Sequence, residues 1–226
     1  MGSHFDRLLI PRLKKAVYSS DWKSQKPISR AGCSHLFKYI RLESYEDCLN
    51  NLQLMRSKAQ EDLLTQAKDF REDYTLRYML DVETRGSASL LNIQKFTDPF
   101  NYKLKVSTGT VGETKEVNVD LVETFNWLIG LKVKHIDHIR NVRVVEGTNP
   151  QGDRVVILWR NVAEVPNDKL DEWFKTQGYN TRDQEYDLIY VNGDNNLENL
   201  RRGDQTWKVR LIEEDFHRLM WECQDV

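Results

Sequence analysis

Cysteine, proline and glycine are scarce in these 226 residues, at three, five and eleven respectively. The cysteines (Cys33, Cys48, Cys223) are odd in number, widely spaced and form no Cys-x-x-Cys pair. That argues against a disulfide framework and a zinc site, and fits a reducing cytoplasm. No apolar run approaches the roughly 20 residues that span a bilayer, and no charged-then-apolar leader points to secretion. There is no internal repeat and no low-complexity tract. What is present, 39% hydrophobic, 30% charged and 10% aromatic residues, describes a soluble globular chain with room for one large or two small cores. Met1-Gly2-Ser3-His4 reads as a cloning remnant, so the natural chain is expected to begin further upstream and this one to be a fragment.

Charge is unevenly placed. Residues 1–42 hold nine Lys or Arg against two Asp, a balance of +7. The other 184 hold 24 basic and 33 acidic groups, −9, which together give the net −2. A near-neutral protein with one strongly basic end presents that end to something anionic. Tyr18, Trp22, Phe37 and Tyr39 interleave with the cations, as on a surface that meets phosphates and bases. A solvated helix face followed by a core strand is the plain alternative.

Leu8, Leu9, Leu13, Ala16 and Val17 recur at helical spacing over Phe5–Tyr18, with Pro11 suited to a helix start. Ser19–Gly32 has no periodicity and reads as a loop. Phe37–Leu42 reads as a strand, and Ser44 opens a helix running to about Met55. Residues 56–69 are polar, and 70–82 are helical by pattern. The second half predicts a hairpin (Tyr102–Val106, Glu116–Val119), a helix over Leu121–Leu131, and strands at Lys132–Ile139, Val142–Glu146 and Arg154–Trp159. A helix (Asp168–Gln177), a strand (Asp187–Val191), a last strand (Trp207–Leu211) and a helix (Glu213–Glu222) follow. The strand–helix–strand succession predicts a parallel pair with a right-handed crossover. The expectation is a mixed α/β fold: residues 5–56 a basic, helix-rich segment, 57–95 a helical connector, and 96–226 an α/β domain with a mixed sheet.

Several motifs are weak. Gly147 and Gly152 have phosphate-loop spacing, but Asp153 stands where a lysine belongs, so a hairpin loop is expected. Asp98, Glu113 and Lys115 loosely match the carboxylate–carboxylate–lysine set of metal-dependent nucleases, a spacing that arises easily in so charged a chain. His135 and His138 would point to opposite faces of a strand. Cys33 near His35 carries no geometry for a nucleophile.

Pro11–Lys15, Asp21-Trp22-Lys23, Phe37–Asp47 and Leu49–Leu52 bring the chain to a family. These blocks resemble the C-terminal part of type III-like adenine-specific DNA methyltransferases of bacterial restriction–modification systems. Glu146–Gly152, Val156–Trp159 and Tyr190–Asp194 are similar to the same tail. In such enzymes S-adenosylmethionine binds at a Gly-rich strand-to-helix turn, and an Asp-Pro-Pro-Tyr-type quartet holds the flipped adenine. This chain has neither. Its nearest quartet, Asp98-Pro99-Phe100-Asn101, reads as a simple turn. The resemblance therefore implies a non-catalytic region with no cofactor, catalytic residue or metal ligand of its own, working in the cytoplasm beside the cofactor-binding remainder of the methyltransferase.

Three functions follow as expectations. The first is DNA binding or target recognition, with Arg12, Lys14, Lys15, Lys23, Lys26, Arg30, Lys38 and Arg41 on phosphates and Trp22 stacking. The second is a docking domain joining the methyltransferase to itself or to a restriction subunit, where the acidic remainder would face protein. The third is a metal-dependent nuclease built on Asp98, Glu113 and Lys115.

Overall fold

The computed structural model describes residues 4–33, 35, 37–40, 43–53, 55, 58–59, 62, 87, 92–108, 112–202 and 206–221. Backbone contacts divide the chain into two units, Met1–Leu42 and Glu43–Val226. The first unit is the segment that carries the +7 balance.

In the first unit a π-helical turn, Phe5–Leu9, runs into helix α1, Ile10–Tyr18. Pro11 accounts for the wide turn. It has no N–H to give the carbonyl four residues back, and Ile10 donates instead to Phe5, five back. After Ser19 the chain makes a small antiparallel ribbon, β1 (Trp22–Lys23) and β2 (Lys26–Pro27). This ribbon lies inside the stretch expected to be a loop. It then returns along the end of α1, where Cys33 N–H donates to the Ala16 carbonyl at 3.2 Å. A Cβ on Gly32 would collide with the Val17 carbonyl, so this approach needs glycine.

The strand expected over Phe37–Leu42 does not form across residues 37–40, and Arg41 and Leu42 lie outside the described residues. Aromatic and β-branched residues favour a strand by fitting a pleated, half-buried surface beside a neighbour. Here Tyr39 instead stacks on Phe5 at 5.0 Å and donates its hydroxyl to Asp6 at 2.5 Å.

The second unit begins with α2, Tyr45–Asn51, capped by Ser44, whose oxygen accepts from Asp47 N–H at 3.1 Å. It stops at Asn51, short of the expected Met55. The helix expected over residues 70–82, with its end at Arg85-Gly86, lies outside the described residues. A 3₁₀ turn, Ile93–Thr97, leads to the hairpin β3 (Lys103–Ser107) and β4 (Thr114–Asn118).

Helix α2 grips the edge of β3 with side chains acting as a strand. Ser107 N–H donates to the Asp47 carboxylate at 2.6 Å. Lys105 N–H donates to Asn51 Oδ1 at 2.7 Å, and Asn51 Nδ2 donates to the Lys105 carbonyl at 2.8 Å. The match is geometric: four residues of helix advance about 6 Å, and two residues of strand about 6.6 Å. Asn51→Ala strands one backbone donor and one acceptor of β3. It is expected to destabilise the second unit by about 1–3 kcal/mol in urea unfolding; a loss under about 0.5 kcal/mol would show that the edge does not depend on this side chain.

Then come α3 (Leu121–Leu128), β5 (Lys132–Ile139), β6 (Val142–Thr148), β7 (Arg154–Arg160), α4 (Asn167–Thr176), β8 (Leu188–Val191), β9 (Arg201–Arg202), β10 (Thr206–Trp207), β11 (Val209–Leu211) and α5 (Ile212–Trp221). Helix α3 ends three residues before Leu131. Gly130 takes φ 63° and Leu131 N–H reaches back to the Asn126 carbonyl, a left-handed stop.

The main sheet has five strands in the order β11-β8-β7-β6-β5. β5, β6 and β7 pair antiparallel; β7, β8 and β11 pair parallel. The fold is mixed α/β. Period-two alternation sorts the central strands. Val155, Ile157 and Trp159 face a core closed by α3, α5 and the 3₁₀ turn, where Phe125, Phe216 and Phe96 lie. Val156 and Leu158 face a second core under α4, with Leu170, Trp173 and Phe174. Both faces of β7 and β8 are covered, so these strands read as continuous apolar runs. Each fully buried side chain contributes about 1.5–3 kcal/mol.

Candidate nucleic-acid interface

Trp22 fixes the β1–β2 ribbon to α1. Its indole N–H donates to the Ser19 carbonyl at 2.9 Å, Lys15 Nζ lies 5.4 Å from its ring centre, and Tyr18 packs 6.2 Å away. Directly opposed residues share a face of a ribbon and successive ones alternate. Trp22 and its partner Pro27 therefore occupy the face toward α1, and Lys23 and its partner Lys26 the other. Like charges directly opposed are unfavourable, and both lysines are exposed.

Arg12, Lys14, Lys15, Arg30 and Lys38 are also exposed. Arg12, Lys14, Lys23, Lys26 and Arg30 form no ion pair among the described residues. Arg41, the remaining phosphate candidate, lies outside them. Trp22, the stacking candidate, is half-buried and already carries Lys15 against its ring. Charge made these cations visible in the sequence. The ribbon was not visible, because its turn is Ser24-Gln25 rather than Asn-Gly or Asp-Gly.

Asp98, Glu113 and Lys115 are spread along the β3–β4 hairpin. The five residues of β3, about 16 Å of extended chain, run between the turn that follows Asp98 and the end that meets Glu113. Glu113 accepts from the Thr108 hydroxyl at 3.4 Å, and Asn101 N–H closes a turn onto the Asp98 carbonyl at 3.3 Å. No group of three His, Cys, Asp or Glu side chains suited to a metal gathers among the described residues. Residues 149–153 form a hairpin loop closed by Asn149 N–H to the Asp153 carbonyl. His135 Nε2–H donates to the Asp137 carboxylate, 2.7 Å away, while His138 packs beside Phe100.

Open α/β sheets take ligands at the carboxyl ends of parallel strands. Here that edge is filled by the protein's own groups. Arg160, wholly buried at the end of β7, donates to the Val165 carbonyl (2.6 Å), Asn167 Oδ1 (2.8 Å) and the Asp194 carbonyl (2.6 Å). Asn192, at the end of β8, accepts from Arg160 N–H and donates to the carbonyls of Arg160 and Phe96. Gly193 N–H donates to Glu213 Oε1 at 2.7 Å. Burial pulls the Arg160 guanidinium below its ordinary value, against the attraction of Glu213 and Asp194. This is a clamp holding three loops. The arginine at the end of Val-Val-Ile-Leu-Trp-Arg gives no local sign of being buried.

Glu213 supplies a pH test. Burial raises its pKa above the ordinary 4.5, outweighing its backbone hydrogen bonds, including that from Gly193, and the pull of Arg160. A carboxyl raised on folding contributes stability that is full below 4.5 and lost as pH rises through the folded value. The stability of Glu213→Gln relative to the parent should therefore improve from pH 4 upward and then level off. Thermal melts across that range check this, and a pH-independent difference would contradict it.

No helix among the described residues is long and apolar enough to cross a membrane. No family model, curated protein or solved structure matches this chain.

Proposed function

We propose that the chain is a non-catalytic C-terminal region of an adenine-specific DNA methyltransferase of a restriction–modification system, and that its first unit binds duplex DNA through the phosphate backbone. The observation that carries the DNA contact is the lysine pair of the β1–β2 ribbon. Two exposed like charges stand directly opposite each other, and neither forms an ion pair among the described residues. An anion between them turns an unfavourable pair into a favourable clamp. Arg12, Lys14, Lys15, Arg30 and Lys38 extend the same positive surface in sequence. The blocks that resemble the methyltransferase tail supply the parent. Catalysis and S-adenosylmethionine belong to that parent's other part, in the bacterial cytoplasm.

Salt titration of duplex binding tests the contact. Each phosphate neutralised contributes about −0.9 to the slope of log affinity against log salt. With several cations engaged the slope is expected to be −4 or steeper, on the order of one unit per contact. Affinity that does not change with salt would sink the proposal.

A second reading, docking to another protein, is favoured by the apolar residues of the first helical segment. Leu8, Leu9 and Leu13 are 47%, 45% and 42% exposed, where burial of such side chains is the usual state. Under it the chain would join the methyltransferase to itself or to a restriction subunit. Concentration-dependent sedimentation without DNA affinity would favour that reading over the first.

A further inference from the structure

The turn of the β1–β2 ribbon is strained, and its ladder is short. Ser24 and Gln25, the two residues between the strands, have φ 49° and 65°. Both lie in the left-handed region that a two-residue hairpin turn requires and that Asn-Gly would adopt with less strain. The chain has a second such turn at Arg140 and Asn141, φ 49° and 66°. There, strands of eight and seven residues impose the conformation through a long ladder. The β1–β2 ribbon has two residues per strand and a repulsive lysine pair. The fold holds this ribbon from its base, where Ile28 N–H donates to the Asp21 carbonyl and Trp22 anchors to α1, so strain kept at the tip in place of an Asn-Gly pair points to a use for the side chains themselves. Both are polar and exposed, at the outermost point of the ribbon.

We infer that the ribbon tip enters the DNA major groove, with Gln25 reading an adenine edge while Lys23 and Lys26 hold the flanking phosphates. This rests on the DNA-binding reading above. The chemistry fits in three respects. The major groove, about 12 Å wide, admits a two-stranded ribbon. A glutamine amide donates and accepts at once, matching the N7 acceptor and N6 donor of adenine. Lysines beside the tip are placed for backbone contact, which positions the ribbon without specifying sequence. Pro27 leaves β2 without one ladder donor, so the ribbon does not readily add another strand.

The test selects bound molecules from a pool of duplexes with a randomised centre and compares three proteins. The parent should enrich adenine at a fixed position by about tenfold or more. Ser24→Gly/Gln25→Gly keeps the turn, relieves its strain and leaves no side chain at the tip. It should bind the unselected pool within about twofold of the parent, since phosphate contacts carry that affinity, and lose the adenine enrichment. Lys23→Ala/Lys26→Ala should weaken binding to all sequences alike and reduce the salt slope by about 1.8. Enrichment unchanged in the double-glycine variant, or a parent that binds the pool with no enrichment, overturns base reading and leaves DNA contact standing. A parent with no salt-dependent affinity for the pool overturns both.

Discussion

Replacing Arg160 with alanine is expected to lower the unfolding free energy of the second unit by about 3–5 kcal/mol, more than the loss of the Asn51 edge contact. The side chain is wholly buried and binds two carbonyls and Asn167. Its removal opens a cavity, leaves those acceptors without donors and deprives the buried Glu213 of its nearby positive charge. Arg160→Lys should recover little, because an ammonium is a point donor and cannot span acceptors placed for a planar fork. Urea unfolding followed by tryptophan fluorescence measures both. A loss below about 1 kcal/mol would mean that the loops at the carboxyl edge hold their positions without the clamp.

Reversing three charges, Lys14→Glu/Lys15→Glu/Lys23→Glu, is expected to remove most duplex affinity at physiological salt. Each reversal deletes an attraction and adds a repulsion, and nonspecific affinity is almost wholly of this electrostatic kind. Lys14 and Lys23 form no ion pair among the described residues, so their loss breaks none there. Lys15 also packs on Trp22, so its change loosens the ribbon as well as altering charge. The salt slope should become shallower by nearly 3, at about 0.9 per phosphate contact. Anisotropy titrations at several salt concentrations read both quantities, and a variant with the parent's slope would place the DNA elsewhere.

The architecture of the second half was legible because its signals are local. Strands β7 and β8 announce themselves as apolar runs, β5 and β6 by branched residues spaced among polar ones, and a helix between β7 and β8 requires a crossover that makes them parallel. The clamp and the α2–β3 edge were not legible for the opposite reason. Asn51 meets Lys105 across 54 residues and Arg160 meets Asp194 across 34, and no periodicity encodes such pairings. Residues 37–40 show the reverse failure, strand propensity without a strand. In the candidate interface, charge singled out the basic side chains, while the ribbon that arranges Lys23 against Lys26 hid behind an unusual turn sequence. The mixed α/β class therefore followed from the sequence, and the geometry of the basic surface required the structure.

Lysine-reactivity footprinting tests the central claim most directly. The chain is acetylated with and without a saturating nonspecific duplex at low salt, and modification is read by peptide mass. Lys14, Lys15, Lys23, Lys26 and Lys38 should be protected several-fold, while the exposed Lys132, Lys134, Lys169 and Lys175 of the second unit react as before. Protection confined to the second unit, or none on either, would contradict a DNA-binding first unit.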